Sequence, residues 1–543
     1  MTSLVEKAGE ATTCEHCHIE KSLGSENGTH LPHEAREMDI EMANARVVTA
    51  DEVQKYSKTD DEAMKAMAEY DGPPLVLDKR TSQSLLRKID WHVLPILFLV
   101  WGMNYLDKTC ISYASVMGLK TDLNLKGNEY STLGSLYYIG QLVWEFPTSR
   151  FLQYLPVAKY SSFCVITWGV ILACFAAVSD FKSAAAVRFL LGAFESCSMP
   201  AFALIAAQWY TTREQNKRAG IFISANGVAQ IVGGLVAYGV AKRVDEHGST
   251  LAGWKIIFIG LGCVTILVGL AFLFVVPDSQ LNCRWLDKRE RLLAIERVKD
   301  NGQGIGNKHF KWYQFREVFL DPHFWALFMY GVLSDIPNGG LTTFFSQLIK
   351  GFGFTSLQSL LYGFPGGAVV IVACWSNGWA GDRFGNRTLF ACVPMTCALI
   401  GMILIIALPI THDSNIGRLV GFYMTQAIPA TGATVLSLVS SNVAGYTKKS
   451  TVAAFYLVGY CVGNIIGPYT FTPEAAPRYV SAEITIMICY ALCIVDLLFI
   501  NWWYRRLNRQ KAATRARPDY VRMENQAWRD LTDRENPEFI YTL

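Results

Sequence analysis

Two ionisable residues of opposite charge lie within one long apolar stretch of the chain. Arg188 and Glu195, with Gly192 between them, stand at positions i, i+4 and i+7, which would place all three on one face of a helix. At a rise of about 1.5 Å per residue, the two charged residues would lie about 10 Å apart along the axis, too far for a direct ion pair. Each charge must therefore find water, another helix or a ligand. Ionisable groups inside a membrane usually serve a function, and a buried ion network that only locks the helices is the alternative.

Other charged residues occur in or beside similar apolar stretches. Asp107 and Lys108 are adjacent, so on a helix their side chains would point about 100° apart and could not face one cavity equally. Glu145 lies inside a second stretch. Asp335 precedes Pro337–Gly340, where we expect a broken helix that exposes backbone groups. If these stretches cross a membrane, each buried charge costs about 2.5 to 3.5 kcal/mol and should face a cavity or a partner.

The elements that must position these residues are unusually apolar. Hydrophobic residues make up 51% of the 543 residues and charged residues 17%, and the mean hydropathy is +0.22, too apolar for a soluble protein of this size. Stretches of about 20 apolar residues can cross the bilayer as helices. They occur near 91–113, 130–151, 158–178, 184–208, 218–241, 254–276, 323–346, 357–379, 388–409, 416–439, 451–472 and 482–504. The sequence therefore predicts an all-α membrane protein with twelve transmembrane helices in two six-helix halves.

The polar segments divide the chain further and give it a direction in the membrane. We expect a cytosolic disordered N-terminal tail, an N-terminal half, a cytosolic linker, a C-terminal half and a cytosolic C-terminal tail, at residues 1–86, 87–276, 277–322, 323–504 and 505–543. Loops rich in lysine and arginine remain in the cytosol, and the basic loops all fall on one side of the predicted spans. Both termini are therefore expected in the cytosol, and residues 1–80 are polar and contain no signal-peptide pattern.

One motif in the N-terminal tail has the spacing of a covalent haem site. Cys14, Cys17 and His18 match that pattern, but haem attachment needs an exported chain and a folded pocket. We therefore infer no more than adventitious metal binding there. We expect no cofactor and no resident metal, and the absence of a nucleophile or nucleotide motif argues against an enzyme. The net charge of +3 gives no reason to expect nucleic acid binding.

The loop between the eighth and ninth predicted spans resembles the cytosolic loop signature of the major facilitator superfamily. Glycines allow a tight turn there, while an aspartate and arginines can latch helix ends in one of two transport states. The equivalent loop of the first half, residues 147–151, is degenerate, so a symmetric latch is not expected. The resemblance implies the major facilitator fold. The predicted latch residues are Gly378, Asp382, Arg383, Gly385 and Arg387.

Between residues 87 and 537, the chain resembles the fungal allantoate permease family, within the anion:cation symporters. The run from Arg188 to Glu195 matches the fourth-helix pattern of that group, which implies anion transport for the arginine and proton coupling for the glutamate. Lys108 matches a first-helix position where relatives carry an arginine. Relatives place another cation in the seventh helix, where residues 333–335 of this chain supply none, so their binding mode does not transfer whole.

The resemblance and the polar residues of the spans together predict a binding site. The predicted substrate contacts are Lys108, Arg188, Tyr137, Gln141, Asn338, Asn442 and Tyr460. The candidates for carrying a coupling proton are Glu195, Asp107 and Glu145.

The resemblance implies a proton-coupled symporter that imports a small organic anion, with the plasma membrane of a fungal cell as the expected location. Members of the family are associated with allantoate, ureidosuccinate, small peptides and carboxylate vitamins, so the family does not fix the substrate. The expected partners are the anion, protons and membrane lipid, and the protein is expected to be monomeric. Two alternatives stay open, a transporter-like nutrient sensor that signals through its long N-terminal tail and an exporter of an organic metabolite.

Overall fold

The computed structural model of the protein describes residues 46–47, 76–298, 310–409, 414–518, 520 and 531–543. The motif at residues 14–18 and most of the predicted N-terminal tail lie outside these residues. The chain divides into two compact units, Met1–Ser84 and Leu85–Leu543. In the first unit, strand β1 (Arg46–Val47) pairs antiparallel with strand β2 (Val76–Leu77). The predicted spans belong to the second unit.

Helices follow the predicted spans closely, and each of the twelve spans is helical. The helices are α1 (Lys79–Val116), α2 (Leu119–Asp122), α3 (Glu129–Tyr154), α4 (Val157–Cys174), α5 (Phe181–Glu195), α6 (Ser198–Trp209), α7 (Thr212–His247), α8 (Gly253–Val275), α9 (Lys288–Val298), α10 (Trp312–Phe319), α11 (Pro322–Gly351), α12 (Ser356–Tyr362), α13 (Pro365–Phe384), α14 (Arg387–Ala407), α15 (Asn415–Thr425), α16 (Pro429–Asn442), α17 (Tyr446–Ile466) and α18 (Val480–Arg515). Three spans consist of two consecutive helices, α5 with α6, α12 with α13, and α15 with α16. Short 3₁₀ helices occupy Phe175–Ala177, Gly467–Thr470 and Pro473–Ala475.

Nine helical stretches of the described chain are long and apolar enough to cross a membrane. The other predicted spans correspond to α3 and α11, whose polar residues and glycines lower their hydropathy, and to the pair α15 and α16. The last two helices contain only 11 and 14 residues, so neither is long enough by itself.

Capping residues set the start of α5 and the end of α13, the helices that carry Glu195 and precede the predicted latch loop. Helix α5 starts after Asp180, whose side chain accepts a hydrogen bond from the backbone N–H of Ser183 at 3.0 Å and satisfies an unpaired donor of the first turn. Helix α13 ends at Phe384 and is capped by Gly385, which adopts φ +69°, a left-handed conformation that glycine reaches without a steric penalty.

The prediction of a broken helix after Asp335 is wrong, because α11 continues through Pro337 to Gly351. The glycines there serve close packing instead. An ideal Cβ on Gly339 would lie 2.6 Å from the carbonyl oxygen of Asn464 in α17, a distance that side chains do not tolerate. Glycine at this position lets the two helix backbones approach, as small residues commonly do in membrane proteins.

The two halves meet at one end of the bundle, which we call the far face. Hydrogen bonds there connect α1–α3 with α11 and α17, and they include Lys120 to Gln347 (2.6 Å), Tyr130 to the carbonyl of Thr343 (2.7 Å) and Ser135 to the carbonyl of Ile465 (2.7 Å). The opposite end, where residues 531–543 pack, is the tail face. Helix α11 has 30 residues and runs about 45 Å from the tail face to the far face.

Candidate functional site

Helices α3 and α5 pack closely because glycines remove the side chains between them. An ideal Cβ on Gly192 would lie 1.8 Å from the carbonyl oxygen of Tyr137, and one on Gly140 would lie 2.1 Å from that of Phe189. Neither position accepts a larger residue unless a backbone moves. This contact holds the face of α5 that bears Glu195 against the polar residues of α3.

Lys108 and Glu195 form an ion pair inside the N-terminal half. The Lys108 Nζ lies 3.7 Å from Glu195 Oε1 and donates a hydrogen bond to Asn104 Oδ1 at 2.8 Å. The Glu195 side chain is fully buried, and neither of its oxygens makes a hydrogen bond of good geometry with a described residue. A charge-assisted hydrogen bond is usually 2.7 to 2.9 Å long, so Glu195 retains unused acceptor capacity.

Asp107 lies beside Trp168 of α4, and its carboxyl group also interacts with Glu195 and Arg188 of α5. The residue is buried, and its Oδ2 accepts a hydrogen bond from Trp168 Nε1 at 2.7 Å. Its Oδ1 has no hydrogen-bond partner among the described residues. Lys108 and Asp107, neighbours on α1, therefore both interact with Glu195 of α5, and Asp107 also contacts α4.

Arg188 is 2% exposed and lies two turns nearer to the far face than Glu195. Its guanidinium carbon lies 5.2 Å from the ring centre of Phe175 and 6.0 Å from that of Phe258. Its Nε and Nη2 have no hydrogen-bond partner among the described residues. Aromatic faces attract a cation, but they do not replace the hydrogen bonds that a buried guanidinium loses on leaving water.

Tyrosine side chains of both halves meet beside the ion pair of Lys108 and Glu195. The Lys108 Nζ lies 5.8 Å from the ring centre of Tyr137, and Tyr138 packs edge-on against Tyr137 and against Tyr460 of α17. The hydroxyls of Tyr137 and Tyr138 and the Oε1 of Gln141 are buried and make no hydrogen bond of good geometry with a described residue. Polar atoms buried without partners are rare in proteins and indicate a place for water or a ligand.

Glu145 lies further along α3 and is also buried, with Oε2 unpaired among the described residues. The structure therefore gathers Lys108, Asp107, Glu195, Tyr137, Gln141 and Tyr460 around α1, α3, α5 and α17.

The C-terminal half contributes a polar network whose members satisfy one another. Asp335 Oδ1 accepts hydrogen bonds from Asn464 at 3.1 Å and from Asn338 at 3.3 Å, and Asn338 also donates to Asn464 Oδ1 at 2.9 Å. Ser334 donates to Asp335 Oδ2 at 3.2 Å. These hydrogen bonds hold α11 and α17 together through their polar side chains.

Asn442 and the latch residues lie elsewhere, on the tail face. Asn442 is fully buried and pairs with the backbone of Thr542, so the structure does not bring it to the tyrosine cluster. Arg383 is exposed, and Arg387 donates to Ser437 Oγ at 3.1 Å. The side chain of Asp382 lies outside the described residues.

Three potential metal ligands also meet at the tail face, Asp321, His323 and Asp533. The Lys448 Nζ already lies 2.8 Å from Asp321 Oδ2 and 2.9 Å from Asp533 Oδ1. Because an ammonium group there repels a cation, these carboxylates are better explained as partners of the lysine than as metal ligands.

Sequence reasoning missed three residues of the N-terminal site, Asn104, Tyr138 and Trp168. Tyr138 directly follows the predicted Tyr137, and its contact with Tyr460 appears only in the structure. Asn104 stands four residues before Lys108, so helical spacing could have identified it. Trp168 comes from a different span, and no local signal connects it to Asp107.

Comparison with known proteins identifies the kind of molecule to which this site belongs. The family model "Major Facilitator Superfamily" matches residues 97–468. An uncharacterized transporter of Schizosaccharomyces pombe is 41% identical over 86% of this chain and 91% of its own length. The allantoate permease of Saccharomyces cerevisiae is 35% identical over 89% of this chain and 90% of its own length.

A solved structure has the same fold. The xylose transporter XylE from E. coli, in a partially occluded inward-open conformation, matches with a TM-score of 0.56 and 15% identity, over 75% of this chain and 97% of its own. The predicted fold, with twelve transmembrane helices in two halves, is confirmed. The chain belongs to the Major Facilitator Superfamily of membrane transporters and, within it, to the fungal allantoate permease family.

Proposed function

We propose that this transporter is a proton-coupled symporter that imports a small organic anion. The observation that carries the proposal is the contact of 3.7 Å between Lys108 and Glu195, in a site where neither buried Glu195 oxygen makes a hydrogen bond of good geometry with a described residue. One cation and one titratable carboxyl group in contact can link the binding of an anion to the binding of a proton.

The link follows from charge balance in the N-terminal half. With both carboxylates ionised, Asp107 and Glu195 offset Lys108 and Arg188. A proton on Glu195 removes one negative charge and leaves an uncompensated buried cation, which is costly. An anionic substrate at Lys108 restores the balance, so the loaded site carries a proton and an anion together. Rocking of the halves then exposes this site to each side in turn.

The substrate class rests on the cations and on the relatives. Lys108 and Arg188 favour a carboxylate, with Tyr137, Gln141, Tyr460 and Asn338 as further polar contacts. An allantoate permease is among the relatives. We therefore propose allantoate, ureidosuccinate or a related carboxylate, small peptide or vitamin as the substrate.

Uptake by fungal cells that lack their own permeases tests this function. Labelled allantoate, ureidosuccinate and other carboxylates should enter saturably, faster at lower external pH, and a protonophore should stop their accumulation. Efflux from preloaded cells would instead support an exporter. Binding without any flux in vesicles would support a sensor.

We further propose that the protein resides in the plasma membrane with the tail face and both termini in the cytosol, as the basic loops suggest. Epitope tags at either terminus should react with antibody only after cells are permeabilised, and the sequon at Asn386 should carry no glycan. Antibody binding to a tag on intact cells would contradict this orientation.

A further inference from the structure

The last segment of the chain, Leu531–Leu543, docks on the tail face of the C-terminal half, and we call it the clasp. Asp533 is fully buried and Tyr541 is 2% exposed. The Tyr541 hydroxyl donates to Asp533 Oδ2 at 2.7 Å, and its ring stacks on that of Tyr504 at 5.4 Å. Lys511 donates to the carbonyl oxygens of Asp533 and Asn536. The clasp is therefore integrated into the fold of this half.

One end of the clasp is anchored by a buried lysine. The Lys448 Nζ lies 2.9 Å from Asp533 Oδ1, 2.8 Å from Asp321 Oδ2 and 3.0 Å from Glu317 Oε1. Burial alone would raise the pKa of Asp321, but the neighbouring Lys448 outweighs this effect and the pKa lies below its ordinary value. The lysine thus joins α10, the start of α11 and the clasp through charged groups.

The other end of the clasp reaches the predicted latch loop. Asn442 donates to the carbonyl oxygen of Thr542 at 2.8 Å and accepts from its backbone N–H at 2.7 Å. The backbone N–H of Arg387 donates to the carbonyl oxygen of Leu543 at 2.6 Å. Arg387 closes the loop that follows α13, so the clasp fixes the backbone at the end of this loop.

We propose that the clasp positions the latch loop and that Asp533 is its anchoring residue. The contacts described above join the clasp to the C-terminal half and to its flanking residues Glu317, Asp321 and Lys511, and none of them involves the N-terminal half. The clasp can therefore stay docked while the halves rock. The equivalent loop of the N-terminal half, residues 147–151, has only a degenerate form of the superfamily signature. The latch on the tail face therefore depends on the loop that follows α13. A well-placed latch favours the conformation with a closed tail face and an open far face. This inference rests on the proposed transport function, because it assumes alternating access.

A labelling experiment tests the proposal without any substrate. Ser135 is buried at the far face, between the two halves, and its hydroxyl donates to the carbonyl oxygen of Ile465. A Ser135→Cys chain should therefore react with a membrane-impermeant maleimide only when the far face opens. We expect Asp533→Asn and Asn442→Ala to slow this labelling severalfold. Ile540→Ala, in the same segment but 64% exposed, should leave it unchanged. The parent with Ser135 gives the background from native cysteines.

An engineered disulfide bond tests whether Asp533→Asn acts by releasing the clasp from its position or by unfolding the protein. Asn442→Cys with Thr542→Cys, oxidised in the Asp533→Asn chain, should restore the labelling rate, and a reductant should abolish the restoration. Equal labelling in all variants would overturn the proposal, and so would a stapled chain that labels at the Asp533→Asn rate. If labelling behaves as expected but no substrate is transported, the proposed transport function fails while the positioning of the loop stands.

Discussion

Replacing Glu195 by Gln should abolish accumulation of substrate against its gradient, while exchange of substrate across the membrane continues in part. Glutamine preserves the size of the side chain but cannot take up a proton, so the substrate no longer moves with the proton gradient. A gradient of one pH unit supports about tenfold accumulation for each coupled proton. We expect the accumulation ratio to fall to about one. Labelled uptake at several external pH values, with and without a protonophore, measures this loss.

Glu483 provides a matched control in the other half. It is 1% exposed, and its Oε1 lies 3.6 Å from Nη2 of Arg418, so it is a buried glutamate beside a cation, as Glu195 is. Glu483→Gln should retain accumulation that rises as the external pH falls. If Glu195→Gln still accumulates substrate and Asp107→Asn or Glu145→Gln does not, the coupling proton belongs to that other carboxyl group. Uptake by the parent that is indifferent to pH would favour a uniporter.

The sequence predicted the helices because a membrane imposes a simple physical requirement. Each span needs about 20 apolar residues, and composition alone reveals them. The exception was α11, where Pro337 and two glycines suggested a break. The structure keeps the helix continuous, because these glycines allow α11 and α17 to approach. A local sequence cannot distinguish a glycine that ends a helix from one that accommodates a neighbour.

The site was predictable in its residue types but not in its pairings. Arg188 and Glu195 were identified because charges inside apolar stretches are costly. The partnership of Glu195 with Lys108 joins two spans that are distant in the sequence, and only the folded structure brings the two side chains together. For Asn442, the sequence predicted a contact that the structure does not show. Its polarity within a span suggested a substrate contact, but its partner in the structure is the backbone of Thr542 at the end of the chain.

Replacing Arg188 by Lys should weaken the apparent affinity for anionic substrate by about tenfold or more, although the positive charge remains. A charge-assisted hydrogen bond contributes about 1.5 to 3 kcal/mol, and an ammonium cannot reproduce the paired contacts of a guanidinium with a carboxylate. The buried Nε and Nη2 of Arg188 have no hydrogen-bond partner among the described residues, so an anion can still occupy them. Arg188→Ala should be worse. Lys108→Ala should impair carboxylates more than neutral analogues, as KM values from labelled uptake would show.

Arg418 distinguishes a substrate contact from a structural role for Arg188. It is also fully buried over an aromatic ring, 4.7 Å from the ring centre of Phe352, and its Nη1 and Nη2 also lack a hydrogen bond among the described residues. Its Nε, however, donates to the carbonyl oxygen of Ile405, and its Nη2 lies 3.6 Å from Glu483 Oε1. Because Ile405 and Glu483 bind it within the C-terminal half, away from the Lys108–Glu195 site, Arg418→Lys should leave KM unchanged in chains that reach the cell surface. If Arg188→Lys likewise transports with unchanged affinity, or if neutral and anionic analogues suffer equally, Arg188 only holds helices together. The organic-anion assignment would then rest on Lys108 alone.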